Sequence, residues 1–544
     1  MISISCNRNK GYKWFAADGC WFKGYLQDEE GKVIRGDEAV ILLKSLPSFS
    51  DLTALLKHYT GLFSIIIQKE NETWLAVDIA RSMPLYYSED FSAVSDDVDA
   101  LIEVCEKDYY RLDDIRTLEL YTTSFVGFKN TIYKGIKQIE LGCVAQIKDG
   151  IIDEKPYFVH QATVKAMTEE ETLRKLDELT SKMIQRMLAV VGSKQIVLSL
   201  SGGYDSRYLA CSLKKHGVDN VICYTYGRGD SFEVAQSKKV AEALGFKWYN
   251  VNYDDTSIKN ILRDDTEYLD YCNRPDYSAY LQNYLAVKEL HKKHLVPKES
   301  VFLTGLCNDM PTGYYIPPEE EAKTYGFTND GLAEYNLAER FIKFALTSKA
   351  RSIFKADILA FLQRMHITVT DYKSFISALD CLETANFHSH CFLNMNTVHE
   401  FFDYEWLLPC WDKDLLLFWY SVALEMRRGQ KLYETYVTQH LANIYGVGTK
   451  KHINVSASTP FKRKIKRRIG AILVKVAYPL GIPLRRNTDI NNFSVLEVEI
   501  YKRIIQKNAV KADRAALILM LTIYMMEYRY GNSWFKDILP YLQG

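Results

Sequence analysis

Two periodicities divide the chain. Up to about residue 160, apolar residues fall in short runs broken by polar turns, such as Leu62 to Gln68 and Trp74 to Asp78. Runs of this kind, with Gly61, Gly127, Gly135 and Gly142 between them, predict strands and tight turns. A polar stretch, Gln161 to Glu171, follows. From Thr172 the apolar spacing becomes three and four, with Leu173, Leu176, Leu179, Met183 and Met187 on one helical face. Gln195-Ile-Val-Leu-Ser-Leu200 is then apolar almost without a break, as a parallel strand covered on both faces requires. A helix at about Arg207 to Lys215, a strand at Val221 to Tyr226, a helix over 232–244 and a strand at Trp248 to Val251 complete a β-α-β-α-β run. One more strand is predicted at Ser300 to Thr304, and the rest reads as mainly helical.

This alternation predicts a doubly wound parallel sheet. The expected fold class is α/β. An N-terminal β-sandwich-like α+β domain occupies 1–160, a doubly wound domain with added helices occupies 172–460, and a mainly helical extension fills 461–544. The 544 residues are too many for one core and suit roughly two to four domains. Hydrophobic residues at 47 % and charged residues at 25 % are ordinary for a soluble protein.

Charge narrows the partners. Lys+Arg and Asp+Glu stand at 68 each, so no overall field favours nucleic acid. The basic run Lys462 to Arg468 is the local exception. It reads as a solvated helix face, with acidic lipid heads as the alternative. Eleven cysteines form no CxxC pair and read as scattered thiols in a reducing compartment. The N-terminus shows no signal pattern, and no run of 18 apolar residues occurs. A cytoplasmic protein without stable membrane insertion is expected.

The densest chemistry lies in Leu198-Ser-Leu-Ser-Gly-Gly-Tyr-Asp-Ser-Arg207, where a buried strand runs into Ser201, Gly202 and Gly203 and a helix opens at Asp205 and Ser206. Two glycines clear the backbone for close approach of a ligand. N–H groups at a helix N-terminus, with the hydroxyls of Ser201 and Ser206, suit a phosphate or pyrophosphate. Asp205 is placed to ligate Mg²⁺ on those phosphates. A capped Gly-rich turn is the plain alternative for SGG alone. The chain contains neither GxxxxGK[ST] nor GxGxxG.

Strand-SGGxDS-helix resembles the pyrophosphate loop of ATP pyrophosphatases, enzymes that cleave ATP between the α- and β-phosphates. Further segments resemble the asparagine synthetase and β-lactam synthetase branch. Tyr224-Thr-Tyr-Gly227 with Glu233, Ala235 and Gly245 is similar to the family's second strand and helix. Thr304-Gly-Leu-Cys-Asn-Asp309 is similar to its [ST]-G-x-G-x-D loop, and Tyr404-Glu-Trp-Leu-Leu-Pro409 with Asp412 and Leu415 to its V-E-x-R-x-P-F-L-D-x-x-L segment. The resemblance implies ATP and Mg²⁺ as cofactors. It assigns nucleotide contact to Leu198, Ser199, Ser201, Gly202, Gly203, Asp205, Ser206, Tyr226, Thr304 and Gly305, and the metal to Asp205 and Asp309. Glu405 falls on a family glutamate and is expected to be a general base. Lys431 follows at about the family's spacing. Lys451, with Lys450 left open, falls on the lysine that stabilises charge on leaving pyrophosphate.

Gly61-Leu-Phe-Ser-Ile65 and Asp78-Ile-Ala-Arg81-Ser-Met-Pro84-Leu-Tyr-Tyr87, continued by Ser95-Asp96 and Gly127 to Ile136, resemble the class II glutamine amidotransferase domain. That domain needs cysteine as second residue, and here it is Ile2; Cys6 could gain a free α-amine only by loss of five residues. Glutaminase activity is therefore expected to be absent and the domain to be structural. Arg81 is read as an ion-pair partner of Asp78. Leu306 replaces the glutamate or tyrosine that manages the nucleophile's proton in the family.

The resulting expectation is an ATP-dependent amide-forming ligase. A small-molecule carboxylate would be activated as an acyl-adenylate and attacked by ammonia or an amine. A glutamine-hydrolysing asparagine synthase and a catalytically silent nucleotide-binding homologue remain as alternatives, and a homodimer stays open as the assembly.

Overall fold

A computed structural model describes residues 2–105, 111–305, 308–341, 345–448, 473, 476–485, 489–505, 517–531 and 539–541. The N-terminal part carries eleven strands: β1 (Ser3–Ser5), β2 (Trp14–Ala17), β3 (Cys20–Gln27), β4 (Val33–Arg35), β5 (Thr60–Gln68), β6 (Glu72–Val77), β7 (Tyr86–Ser88), β8 (Ala93–Ser95), β9 (Ile136–Gln138), β10 (Cys143–Lys148) and β11 (Ile151–Pro156). They form a seven-stranded sheet, β11-β10-β6-β5-β3-β2 with β4 beside β3, and a four-stranded sheet, β1-β8-β7-β9. β5 and β6 are buried along almost their whole length, while edge strand β11 alternates exposed and half-buried residues. The central strands are thus covered on both faces and the edge keeps one face wet.

The helix expected from Thr172 spans Glu169–Val191. Its start is set by a capping box: Thr168 accepts the Glu171 backbone N–H, and the Glu171 carboxylate accepts the Thr168 N–H at 2.8 Å. Next comes a fully parallel five-stranded sheet. Its members are β12 (Gln195–Ser199), β13 (Val221–Gly227), β14 (Lys247–Asn252), β15 (Ser300–Leu303) and β16 (Glu405–Leu407), in the order β14-β13-β12-β15-β16. The chain winds outward from β12 to β14, then crosses back to β15 on the other side of β12. The sheet is doubly wound as predicted, and the reversal puts the switch point between β12 and β15, where α/β folds receive ligands at the carboxyl ends of the strands. β16 was not legible in the sequence.

The two parts meet across buried polar groups. Arg81 does not pair with Asp78 as expected. Asp78 is taken up by the backbone N–H groups of Phe63 at 3.1 Å and Ala80 at 2.8 Å, while Arg81 crosses to Ser389 Oγ at 3.0 Å and His390 Nε2 at 2.6 Å. His390 Nδ1 donates to Asp276 at 2.8 Å, and Tyr86 OH donates to the same carboxylate at 2.9 Å. Burial and the nearby Arg81 charge hold His390 neutral, its pKa pulled down to about 4. Lys23 and Arg274 meet Glu400 at 3.2 and 3.4 Å. Among the described residues, no helix is long and apolar enough to cross a membrane.

Candidate functional site

The loop after β12 is held by its own hydroxyls. Gly203 N–H donates to Ser201 Oγ at 3.0 Å, Ser201 N–H donates to Ser206 Oγ at 3.0 Å, and the two hydroxyls lie 3.1 Å apart. Helix Tyr204–Lys215 starts directly after Gly203, which lends it no side-chain cap. Its N-terminus opens onto the loop, the end of a helix at which backbone N–H groups suit an anion. Arg207, almost fully buried, reaches back to the Gly202 carbonyl at 3.2 Å and across to the Val447 carbonyl at 3.2 Å.

The second loop leaves the end of β15. A Cβ on Gly305 would stand 2.9 Å from the Asp205 carbonyl carbon, so the backbones of the two loops touch. Asp205 and Asp309 thus come from adjacent strand ends flanking the switch point. Both are held from one short segment: Tyr433 OH donates to Asp205 Oδ1 at 2.7 Å, and Gln430 Nε2 donates to Asp309 Oδ1 at 3.2 Å. Burial and the Asp205 charge push the Tyr433 hydroxyl well up, so it stays protonated and donates. Tyr433 and Gln430 escaped the sequence reading. One tyrosine among 37 carries no signal, and the glutamine matters through its backbone and amide, not through a motif.

Most of the expected nucleotide positions gather at this edge. Ser201, Gly202, Gly203, Asp205, Ser206, Thr304 and Gly305 lie on the two loops, and Ser199 ends β12. Tyr226 lies near the end of β13, stacked on Tyr253 with ring centres 5.4 Å apart. Leu198 differs: it is fully buried and paired to Cys223 and Leu303, so its side chain belongs to the core.

Glu405 is a correction. It opens β16 opposite Val301, and β15 pairs Val301 with Ile196, so Glu405 sits level with the beginning of β12. At about 3.3 Å per residue, the loop after Leu200 is more than 10 Å further along the sheet. There Glu405 pairs with Lys194 and lies 3.6 Å from Arg35. It faces the N-terminal sheet, not the glycine loop, and cannot serve there as base. Lys431 begins helix Lys431–Thr435 and is exposed. Leu306, Lys450, Lys451 and the basic run lie outside the described residues.

The lining suits a magnesium-bound triphosphate. Thr304 Oγ1 and Asn308 Oδ1 are buried at the switch point with no protein partner among the described residues. The Gly305 contact leaves no room for a side chain between the aspartates' loops. Asp205 and Asp309 would hold the cation, which supplies charge neutralisation on phosphate oxygens when bound.

A doubly wound sheet with a glycine loop and paired aspartates at its switch point is the layout of a nucleotide-using α/β enzyme. The chain belongs to the asparagine synthase family, which it matches over residues 175–459. By class it is an ATP-dependent amidation ligase. No protein of curated function matches the chain significantly. Among solved structures it is similar to an NH3-dependent NAD synthetase from Campylobacter jejuni (15 % identity, TM-score 0.20, 41 % of this chain and 96 % of that one). It is also similar to an NMN synthetase from Francisella tularensis (14 %, 0.21, 41 % and 94 %) and to the glutamine phosphoribosylpyrophosphate amidotransferase of B. subtilis (12 %, 0.17, 54 % and 63 %).

Proposed function

We propose that the protein activates a small-molecule carboxylate with ATP and Mg²⁺, releasing pyrophosphate and forming an acyl-adenylate, which ammonia or an amine converts to an amide. The observation that carries this is the joint presentation of the glycine loop, Asp205 and Asp309 at the switch point, with the two loops in backbone contact. The helix N-terminus and the Ser201 and Ser206 hydroxyls bind phosphate oxygens. Fixing carboxylate and α-phosphate together converts the encounter into a reaction within one complex. Lys451 is the cation proposed to stabilise charge on the departing pyrophosphate.

The nitrogen is proposed to come from solution, not from glutamine. Ile2 is tied through its carbonyl to Gln68 Nε2 at 2.7 Å. The Cys6 thiol is pushed up by burial and by the neighbouring Asp96, the opposite of what an activated thiolate needs. Two pockets at the domain boundary, sharing Arg274, Glu400 and Trp406, have volumes of about 20 Å³ each. Each is room for about one water molecule. The test is mass spectrometry of products from ATP, Mg²⁺ and a panel of carboxylates with ¹⁵N-ammonium or amines, beside ¹⁵N-amide glutamine. An amide from ammonium or an amine, with no glutamate released from glutamine, fits the proposal; glutamate release overturns the nitrogen assignment.

A further inference from the structure

We infer that Tyr433 and Gln430 are positioning residues that set the two aspartates for a divalent cation; this rests on the metal assignment of Asp205 and Asp309. Their donors leave one turn three residues apart: Gln430 immediately precedes helix Lys431–Thr435, and Tyr433 lies inside it. One rigid segment therefore reaches carboxylates delivered by two different strands. Gln430 Nε2 also donates to Thr312 Oγ1 at 2.7 Å, so the amide joins Asp309 to the turn that follows it.

The backbone of this segment is unusual. Gly429 has φ +64° and Gln430 φ +61°. Left-handed backbone is disfavoured for glutamine and persists where surrounding structure imposes it, most often at functional sites. Here the surroundings are visible. Gly429 N–H donates to the Gly313 carbonyl at 3.1 Å, and a Cβ on Gly313 would stand 2.4 Å from the Arg427 carbonyl oxygen. Arg427, itself fully buried, bonds Asp380 at 2.8 Å. The turn is thus fastened to the loop that carries Asp309. Tyr433 is wedged edge-on between Tyr208 at 5.8 Å and Trp419 at 6.0 Å, which fixes its hydroxyl toward Asp205.

Neither residue need touch the reacting atoms. Each takes one carboxylate oxygen and so fixes the orientation in which the pair meets a cation, the role outer partners play around metal ligands. Neither belongs to the SGGxDS loop or the Asp309 loop; both reach the aspartates from the segment that opens helix Lys431–Thr435.

The test is Mn²⁺ titration of the full chain, followed by electron paramagnetic resonance, with α,β-methylene-ATP present. Tyr433→Phe removes the hydroxyl and keeps the ring. Gln430→Gly removes the amide and keeps the left-handed backbone; Gln430→Asn, also at home there but one methylene short, replaces it if the glycine loosens the fold. Each is expected to weaken Mn²⁺ binding roughly 10–100-fold, with the unfolding midpoint near that of the parent, and Asp205→Asn to lose it. Retained binding in Asp205→Asn would remove the metal assignment itself. Loss there with parent-like binding in Tyr433→Phe or Gln430→Gly would remove that residue from the inference alone.

Discussion

Gly305→Ala probes the contact on which the site depends. The added methyl would lie 2.9 Å from the Asp205 carbonyl carbon and 3.1 Å from its Cβ and oxygen. Carbon contacts settle at about 3.5–4.0 Å, so the two loops must part by about half an ångström. Gly305 does not have positive φ, so alanine meets no backbone penalty and the effect comes from the contact. Overpacking of this kind costs about 1–3 kcal/mol. Misplacement by 1 Å in a site can cost about 10²-fold, so half of that is on the order of tenfold in rate. Urea unfolding measures the first quantity, and ATP–pyrophosphate exchange with an accepted carboxylate measures the second. Parent-like stability and exchange together would refute the loop contact.

Glu405→Gln is expected to leave exchange and amide formation unchanged, because the carboxylate sits at the far end of the sheet beside Lys194 and Arg35. Its part-exposed ion pair is worth at most about 1 kcal/mol in stability; a loss of amide formation of a hundredfold or more would restore Glu405 as base. Acid should destabilise the fold through His160. Burial lowers its pKa to about 4, with Tyr420 OH at 2.9 Å on Nδ1 and the Ile79 carbonyl at 2.8 Å on Nε2. The folded state then binds fewer protons than the unfolded state between pH 6.5 and 4. Its contribution is complete above about pH 6.5 and falls by up to about 1.4 kcal/mol per pH unit below. The urea midpoint of His160→Gln should therefore drop less than the parent's between pH 7 and 5; parallel curves would contradict a neutral buried imidazole.

The parallel sheet was legible because β12 and β13 are buried on both faces and say so in composition. That the glycine loop and Asp309 each follow a strand was legible because spacing after a strand is a local property. Which end of a sheet a residue occupies is not local. β16 is three residues long, and its Glu405 falls at the amino end only through the register with Val301. A motif match could give the glutamate but not its place. Arg81 was misread for a related reason: its neighbour in sequence, Asp78, is satisfied by nearby backbone, and its actual partner is 309 positions away. Gln430 and Tyr433 act through a left-handed turn and a packed ring, neither of which composition encodes.

The proposed chemistry is cleavage of ATP between its α- and β-phosphates, with the help of Asp205 and Asp309. ³¹P magnetic resonance of ATP turnover with Mg²⁺, an accepted carboxylate and ammonium or amine reads it directly. AMP and pyrophosphate are expected in step with amide, and neither product from Asp205→Asn or Asp309→Asn. ADP and orthophosphate as products, or AMP formed unchanged by both variants, would contradict it.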